Sequence, residues 1–379
     1  MLPRQRGRAV RRIAAVRCGC WRPRTVEPRR PKPPNQTAAA NRVGIPTPSA
    51  SSNRSSRCTV RAVPNARSSA TLGQEREGTG VVIGDDGLIV TIGYLIVEAD
   101  EVSLVDQQGH VLPARVVAYD HATGLGLVRA VVPLSAPPLP LGDSAKLADR
   151  DPVMIVNHAG VDDVTLAYVV STRPFTGNWE YLLEQAIFTS PPTMNWSGAA
   201  LVEPRPQARR HRLADRARSV VRRRATLPGN MFVPIDALKP ILADLVRTGR
   251  RAGPARPWLG VAADEVQGRL MVSRVSPEGP GDQAGIKVGD IILGVGGDGV
   301  RTQAEFYRKV WGRGAAGADI PLRVLQGVDV KELEVHSMDR VEYFRPQDHV
   351  LSRARRRFRR VRAGAASAEL RQNARLVHA

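Results

Sequence analysis

Three cysteines in 379 residues cannot build a disulfide framework. All three, Cys18, Cys20 and Cys58, lie near the N-terminus, and Cys18-x-Cys20 lacks a second ligand pair at zinc spacing, so no metal or other cofactor is expected. No apolar run approaches the roughly 18 residues of a membrane-spanning helix. The basic start is not followed by the apolar core of an export leader, so no signal peptide is visible and the compartment stays open. Acidic residues are scarce in three segments. Residues 1–76 carry a net charge of +15, residues 203–224 of +7 and residues 352–379 of +8, which leaves −10 for the rest of a chain whose total is +20. The basic excess therefore avoids the foldable part. Runs of this kind read as solvated tails, not as a specific nucleic-acid site, although binding of nucleic acid through the Arg-rich tails is an alternative.

What is present suffices for a core: hydrophobic residues make up 42% of the chain, which excludes wholesale disorder. With 34 Gly and 29 Pro, turns are frequent, which favours short strands over long helices. Residues 1–76 read as a disordered basic tail without alternation. From Gly78 the texture changes. Gly78–Ile83 reads as a strand, Gly84–Gly87 as a hairpin turn and Leu88–Thr91 as its partner. Further strands are expected at Glu101–Val105, Val111–Tyr119, Gly124–Val132, Pro152–Asn157, Thr165–Thr172 and Tyr181–Phe188, a spacing that suits a barrel or sandwich. Ile235, Leu238, Ile241, Leu242 and Leu245 recur at helical period, predicting a helix from Pro234 to Thr248 that stops at Gly249. Residues 249–256 read as a linker. A second unit spans 257–340, with strands at Trp258–Val261, Leu270–Val275, Asp290–Val295 and Ile320–Leu325, and a helix at Thr302–Trp311 capped by Thr302. Residues 345–379 form another basic tail.

Six segments in order resemble the HtrA/DegP-type trypsin-fold serine proteases. They are Gly78–Thr91 (the opening hairpin), Val116–Arg129 (D-x-x-x-D-L-A), Leu141–Leu147 (L-G-D-S-x-x-L), Asn195–Leu201 (G-N-S-G-G-P-L), Met231–Ile235 (F-A-I-P) and Trp258–Val261 with Ala284–Asp290 (the PDZ domain). The resemblance implies a mostly β fold: a trypsin-like double β-barrel over 77–248 followed by an α+β PDZ domain. It also implies ATP-independent endoproteolysis of misfolded or signalling proteins, usually outside the cytoplasm, by homotrimers.

The chemistry departs from that pattern. A serine hydroxyl needs a base to take its proton and a carboxylate to orient the base. The resemblance aligns Ser197 with the nucleophile, but Tyr94 with the histidine and Gly124 with the aspartate. A phenol of pKa near 10 is a poor base at neutral pH. Asn195 and Ser197 fall where the oxyanion-hole N–H groups belong, with Trp196 bulky between them. His110, His121 and His158 are the remaining candidate bases. A catalytically impaired family member is thus expected, with an active endopeptidase using a non-standard base as the alternative. Pro204–Ala225 lacks alternation where the family has barrel strands; a pair of compensating frame changes would produce such a stretch, and a chain made as written would lack core strands there. In the PDZ-like unit, the resemblance gives the N–H groups of Leu259, Gly260 and Val261 to a peptide's terminal carboxylate and makes Phe306 and Val310 the facing wall, so protein or peptide C-termini are the expected partners.

Overall fold

The computed structural model describes residues 13–21, 54–159, 164–177, 180–203 and 228–344. The first barrel is built from β2 (Ser55–Ala62), β3 (Glu75–Val82), β4 (Leu88–Ile92), β5 (Ala99–Val105), β6 (Val111–Asp120) and β7 (Leu125–Ala130), which follows β1 (Ile13–Trp21) in the chain. It closes in the order β2-β3-β4-β7-β6-β5. Short helices α1 (Ser69–Leu72) and α2 (Gly93–Ile96) lie between its strands. The β3–β4 turn forms because Gly87 takes φ 74° and the Leu88 N–H donates to Asp86 Oδ1 at 3.2 Å. Cys58, Val81, Ile89, Leu104 and Leu127 fill the interior. Burial pushes the Cys58 thiol up to about 12, so it behaves as a small apolar residue.

The second barrel closes in the order β1-β11-β8-β9-β10-β12, with β8 (Pro152–Val156), β9 (Thr165–Gly177), β10 (Tyr181–Ser190), β11 (Ala200–Val202) and β12 (Gly229–Pro234). The strand from the N-terminus lies between the two that flank the Arg-rich stretch: Val16 is opposite both Ala200 and Val233. This corrects two expectations. Residues 13–21 and 54–76 are ordered elements, not part of a tail, and the second barrel does not lack a strand between β11 and β12. The physical reason is burial. Ile13, Ala15, Val16 and Arg17 are fully enclosed, and in β2 the sequence Cys58-Thr-Val-Arg-Ala alternates inward and outward. The expected disorder elsewhere in 1–76, nearly all of 203–227 and the tail 345–379 lie outside the described residues, as do the side chains of Cys18 and Cys20.

The expected helix 234–248 is shorter. Pro240 has no N–H to give and crowds the carbonyl four residues back, so a 3-10 turn at Ile235–Ala237 precedes α3 (Leu242–Thr248), which ends at Gly249 with φ 75°. Asp236 ties this joint to the Leu141–Leu147 segment. Burial would raise its carboxyl, but hydrogen bonds from Lys239, Ser144 and the Ala145 N–H outweigh that and hold it at about 2. Beyond the linker, β13 (Val261–Val266), β14 (Arg269–Val275), α4 (Pro280–Gln283), β15 (Ile291–Val295), β16 (Asp298–Gly299), α5 (Gln303–Trp311), β17 (Asp319–Gln326), β18 (Asp329–His336) and α6 (Arg340–Tyr343) follow. The sheet order is β13-β14-β15-β17-β18, with β16 paired to β15, and α5 packs on it through Phe306 and Val310. The Thr302 hydroxyl caps α5 by accepting from the Glu305 N–H at 3.2 Å. Among the described residues no helix is long and apolar enough to cross a membrane, and no group of three or more His, Cys, Asp and Glu gathers to hold a metal.

Candidate functional site

The loop between β10 and β11 carries Ser197, and two close approaches fix it. Gly198 takes φ 71°, and a Cβ there would stand 2.2 Å from the Thr79 carbonyl oxygen. On the other side Gly78 lets β3 run against the serine: a Cβ at Gly78 would lie 2.8 Å from Ser197 Oγ. The Thr79 N–H donates to the Ser197 carbonyl at 2.8 Å and completes the seam. The N-terminal strand braces the same loop. Arg17, fully buried, donates through Nη1 to the Thr193 carbonyl at 3.0 Å, and its guanidinium lies 5.7 Å from the centre of the Trp196 ring. Sequence reasoning missed Arg17, because the residues around it do not alternate: Ala15, Val16 and Arg17 are all buried in succession.

Tyr94, at the start of α2, brings its hydroxyl to 2.7 Å from Ser197 Oγ. The fold therefore delivers residue 94 to the position where a general base would have to act, and the residue delivered is a phenol. Trp196 closes over the pair, with its ring centre 6.4 Å from that of Tyr94. Gly124, preceding β7, brings no side chain at all; a Cβ there would touch only Ile92 Cδ1, at 3.9 Å. The loop's left-handed glycine is Gly198, and Asn195 is not among the residues with positive φ, so the backbone freedom that asparagine offers is not used.

The three candidate histidines make contacts with groups other than the Ser197 hydroxyl. His158 bonds Thr79 Oγ1 at 3.2 Å through Nδ1 and faces Glu77 at 3.3 Å through Nε2. His110 pairs with Asp106 at 2.9 Å on the surface. His121 is held well below the usual imidazole range by burial and by the Arg340 cation, and its ring lies tilted against that of Tyr119 with centres 3.9 Å apart.

His121 lines a cavity of about 510 Å3 between the first barrel, the β9–β10 turn, the linker and the unit beyond it. Leu259, Phe306 and Val310, singled out from the sequence, line the same cavity, and Gly260 between Leu259 and Val261 takes φ 70°. Phe306 and Val310 are each 2% exposed, Val261 is fully buried, and the three share one apolar cluster with Leu259. Residues not foreseen also face the space: Glu180 from the β9–β10 turn, Trp258, Tyr307 and Arg340. Trp258 Nε1 and the Tyr307 hydroxyl are buried there without a hydrogen-bond partner.

Residues 78–206 match the model of the trypsin-like peptidase domain, and residues 257–336 match that of the PDZ domain. The chain is 25% identical over 279 residues to a probable periplasmic serine endoprotease DegP-like from Pseudomonas putida (strain W619), covering 68% of this chain and 55% of that protein. It is 25% identical over 234 residues to serine endoprotease DegS of Haemophilus influenzae, covering 57% of this chain and 64% of that one. The chain thus spans little more than half the length of the DegP-like relatives it matches. Among solved structures, the HtrA-type protease AlgW with decapeptide aligns over 79% of this chain and 98% of its own, at 16% identity and a TM-score of 0.45.

Proposed function

The chain is built as an HtrA-like protease, a trypsin-like peptidase domain followed by a C-terminal PDZ domain, and from that premise we propose that it is a catalytically impaired member of the group that binds protein or peptide C-termini. One observation carries the reading: the group at 2.7 Å from Ser197 Oγ is the hydroxyl of Tyr94. With a pKa near 10, a phenol is ionised to about one part in a thousand at neutral pH, and it holds its own proton when the serine needs to lose one. Nothing at Gly124 offers a carboxylate to change that balance. Loss of base and orienter costs on the order of 10⁶ in turnover in serine proteases, leaving about 10³–10⁴ over water. The retained seam around Ser197 keeps the shape of a site without its proton acceptor.

The PDZ domain supports the binding half of the proposal. A glycine with φ 70° in the Leu259–Val261 loop opens the backbone to a carboxylate, and the apolar wall of α5 faces it. Such a protein acts in quality control or as a scaffold by holding chain ends. Casein hydrolysis tests the catalytic half. The parent and Ser197→Ala are expected to give the same background rate; turnover lost on removing Ser197 would restore the reading of an active endopeptidase with an unorthodox base.

A further inference from the structure

The PDZ loop already faces a carboxylate. Glu180 sits in the turn of the β9–β10 hairpin, in a left-handed conformation at φ 56°. The residue is partly buried and lines the same cavity as Trp258, Leu259, Tyr307 and Arg340, with the Gly260 N–H and the indole of Trp258 as the donors nearest its carboxyl. The indole comes near without closing a full hydrogen bond. Arg340 from α6 and Arg274 from β14 supply positive charge, and the other titratable groups lining the cavity include Tyr307 of α5, Asp120 and His121 at the end of β6, Asp339 before α6, and Arg250, Arg251 and Arg256 of the linker.

The rest of the hairpin follows the groove that the sheet and α5 enclose. Leu182, two residues on, is buried in the cluster of Leu259, Val261 and Phe306, although it belongs to the peptidase domain. The Thr176 hydroxyl donates to Gln303 Oε1 at 2.6 Å on the first residue of α5, and Glu184 pairs with Arg308 at 2.8 Å further along the helix. The Ala263 carbonyl, on the edge of β13 facing α5, is taken by the Gln303 side-chain amide. A carboxyl group at the loop and an apolar side chain beside it are two of the features by which a peptide C-terminus binds such a domain, and the hairpin supplies both; the edge of β13 is met by Gln303 of α5 and not by the hairpin.

We infer that the Glu180 carboxyl is an internal ligand of the Leu259–Val261 loop, so that the β9–β10 hairpin holds the peptide site in a self-occupied state and an incoming C-terminus binds only by displacing it. The inference rests on the reading of this loop as a C-terminus site. It also gives the unpartnered Tyr307 hydroxyl a purpose: it is a donor that a bound peptide can use and the shorter glutamate side chain leaves unfilled.

The contact carries a pH dependence of definite sign. Burial raises the Glu180 carboxyl from 4.5 to about 7, against the pull of Arg340, Arg274, Trp258 and the Gly260 N–H. Docking is therefore most favourable below about 4.5, where the carboxyl is neutral docked or free, and weakens as the pH rises through about 7. A peptide's own terminal carboxylate, with a pKa near 3.5, stays ionised across this range.

The test uses the full chain and fluorescent octapeptides ending in Val, Leu or Phe, each as the free acid and as the C-terminal amide, titrated at about pH 5 and about pH 8. The parent is expected to bind the free acids more weakly at the lower pH. Glu180→Ala is expected to bind them about tenfold tighter than the parent at low pH and with no pH dependence, because the competitor is gone. Glu180→Gln, an imitation of the protonated acid, is expected to stay weak at both values. Should Glu180→Ala fail to fold, the isosteric Gln variant decides: loss of the pH dependence supports the inference, and an unchanged one overturns it. Equal affinities for the parent and a folded Glu180→Ala would overturn the internal ligand while leaving the peptide site standing. Absence of binding by all three proteins would overturn both.

Discussion

At Tyr94 the proposal of catalytic impairment comes down to one proton. Ser197 is gripped by β3, by the Thr79 N–H and by Gly198, and none of these contacts can accept its hydrogen. If the defect is confined to the missing base and orienter, returning them should return chemistry. Tyr94→His with Gly124→Asp is expected to raise hydrolysis of an activated ester by at least about 10², lost again with Ser197→Ala, and Tyr94→His alone by less. The gain has a structural cost. Gly124 sits at φ 78°, so an aspartate there is destabilised by about 1 kcal/mol, seen as a lower thermal midpoint, but its Cβ meets no clash. A double variant no faster than the parent would place the fault in the oxyanion loop around Asn195 and Trp196.

Among the elements, the N-terminal strand bears the most weight for its length. It lies between β11 and β12, and its inward residues Ile13 and Val16 belong to the main core cluster. Val16→Asp buries an unpaired carboxylate at this position and is expected to cost several kcal/mol, read as a fall in the urea midpoint. A chain that melts unchanged would put Ile13–Trp21 outside the barrel. This strand also marks the boundary of what the sequence discloses. The hairpin at Gly78–Thr91, the strands from Glu101 to Phe188 and the Thr302-capped helix are legible because turn residues and periodicity act locally. The pairing partners of Ile13–Trp21 are some 180 and 210 residues away, and its arginines and cysteines mask the apolar face. The same holds at the site. Motif order placed Tyr94 opposite Ser197, whereas Arg17, Glu180 and Leu182 gain their roles only when distant elements meet. In the linker, helical periodicity was a true signal, but Pro240 overrode it.

For the molecule as a whole, charge and fold are segregated. Residues 1–76, 203–224 and 352–379 carry the entire positive excess and the remainder is acidic, so attraction to polyanions belongs to those segments, of which 13–21 and 54–76 are built into the barrels. Duplexes of unrelated sequence are expected to bind the full chain equally, with an affinity that falls steeply between about 50 and about 200 mM salt. Preference for one sequence that survives the higher salt would contradict this. Barrels and PDZ domain then combine in one proposed account: a protease frame that keeps its nucleophile, presents Tyr94 where the base would stand, and holds a guarded site for chain ends. The most direct test of that account is the rate at which a fluorophosphonate probe labels the protein at neutral pH. The account predicts labelling no faster than that of Ser197→Ala over hours; rapid labelling confined to Ser197 would contradict it.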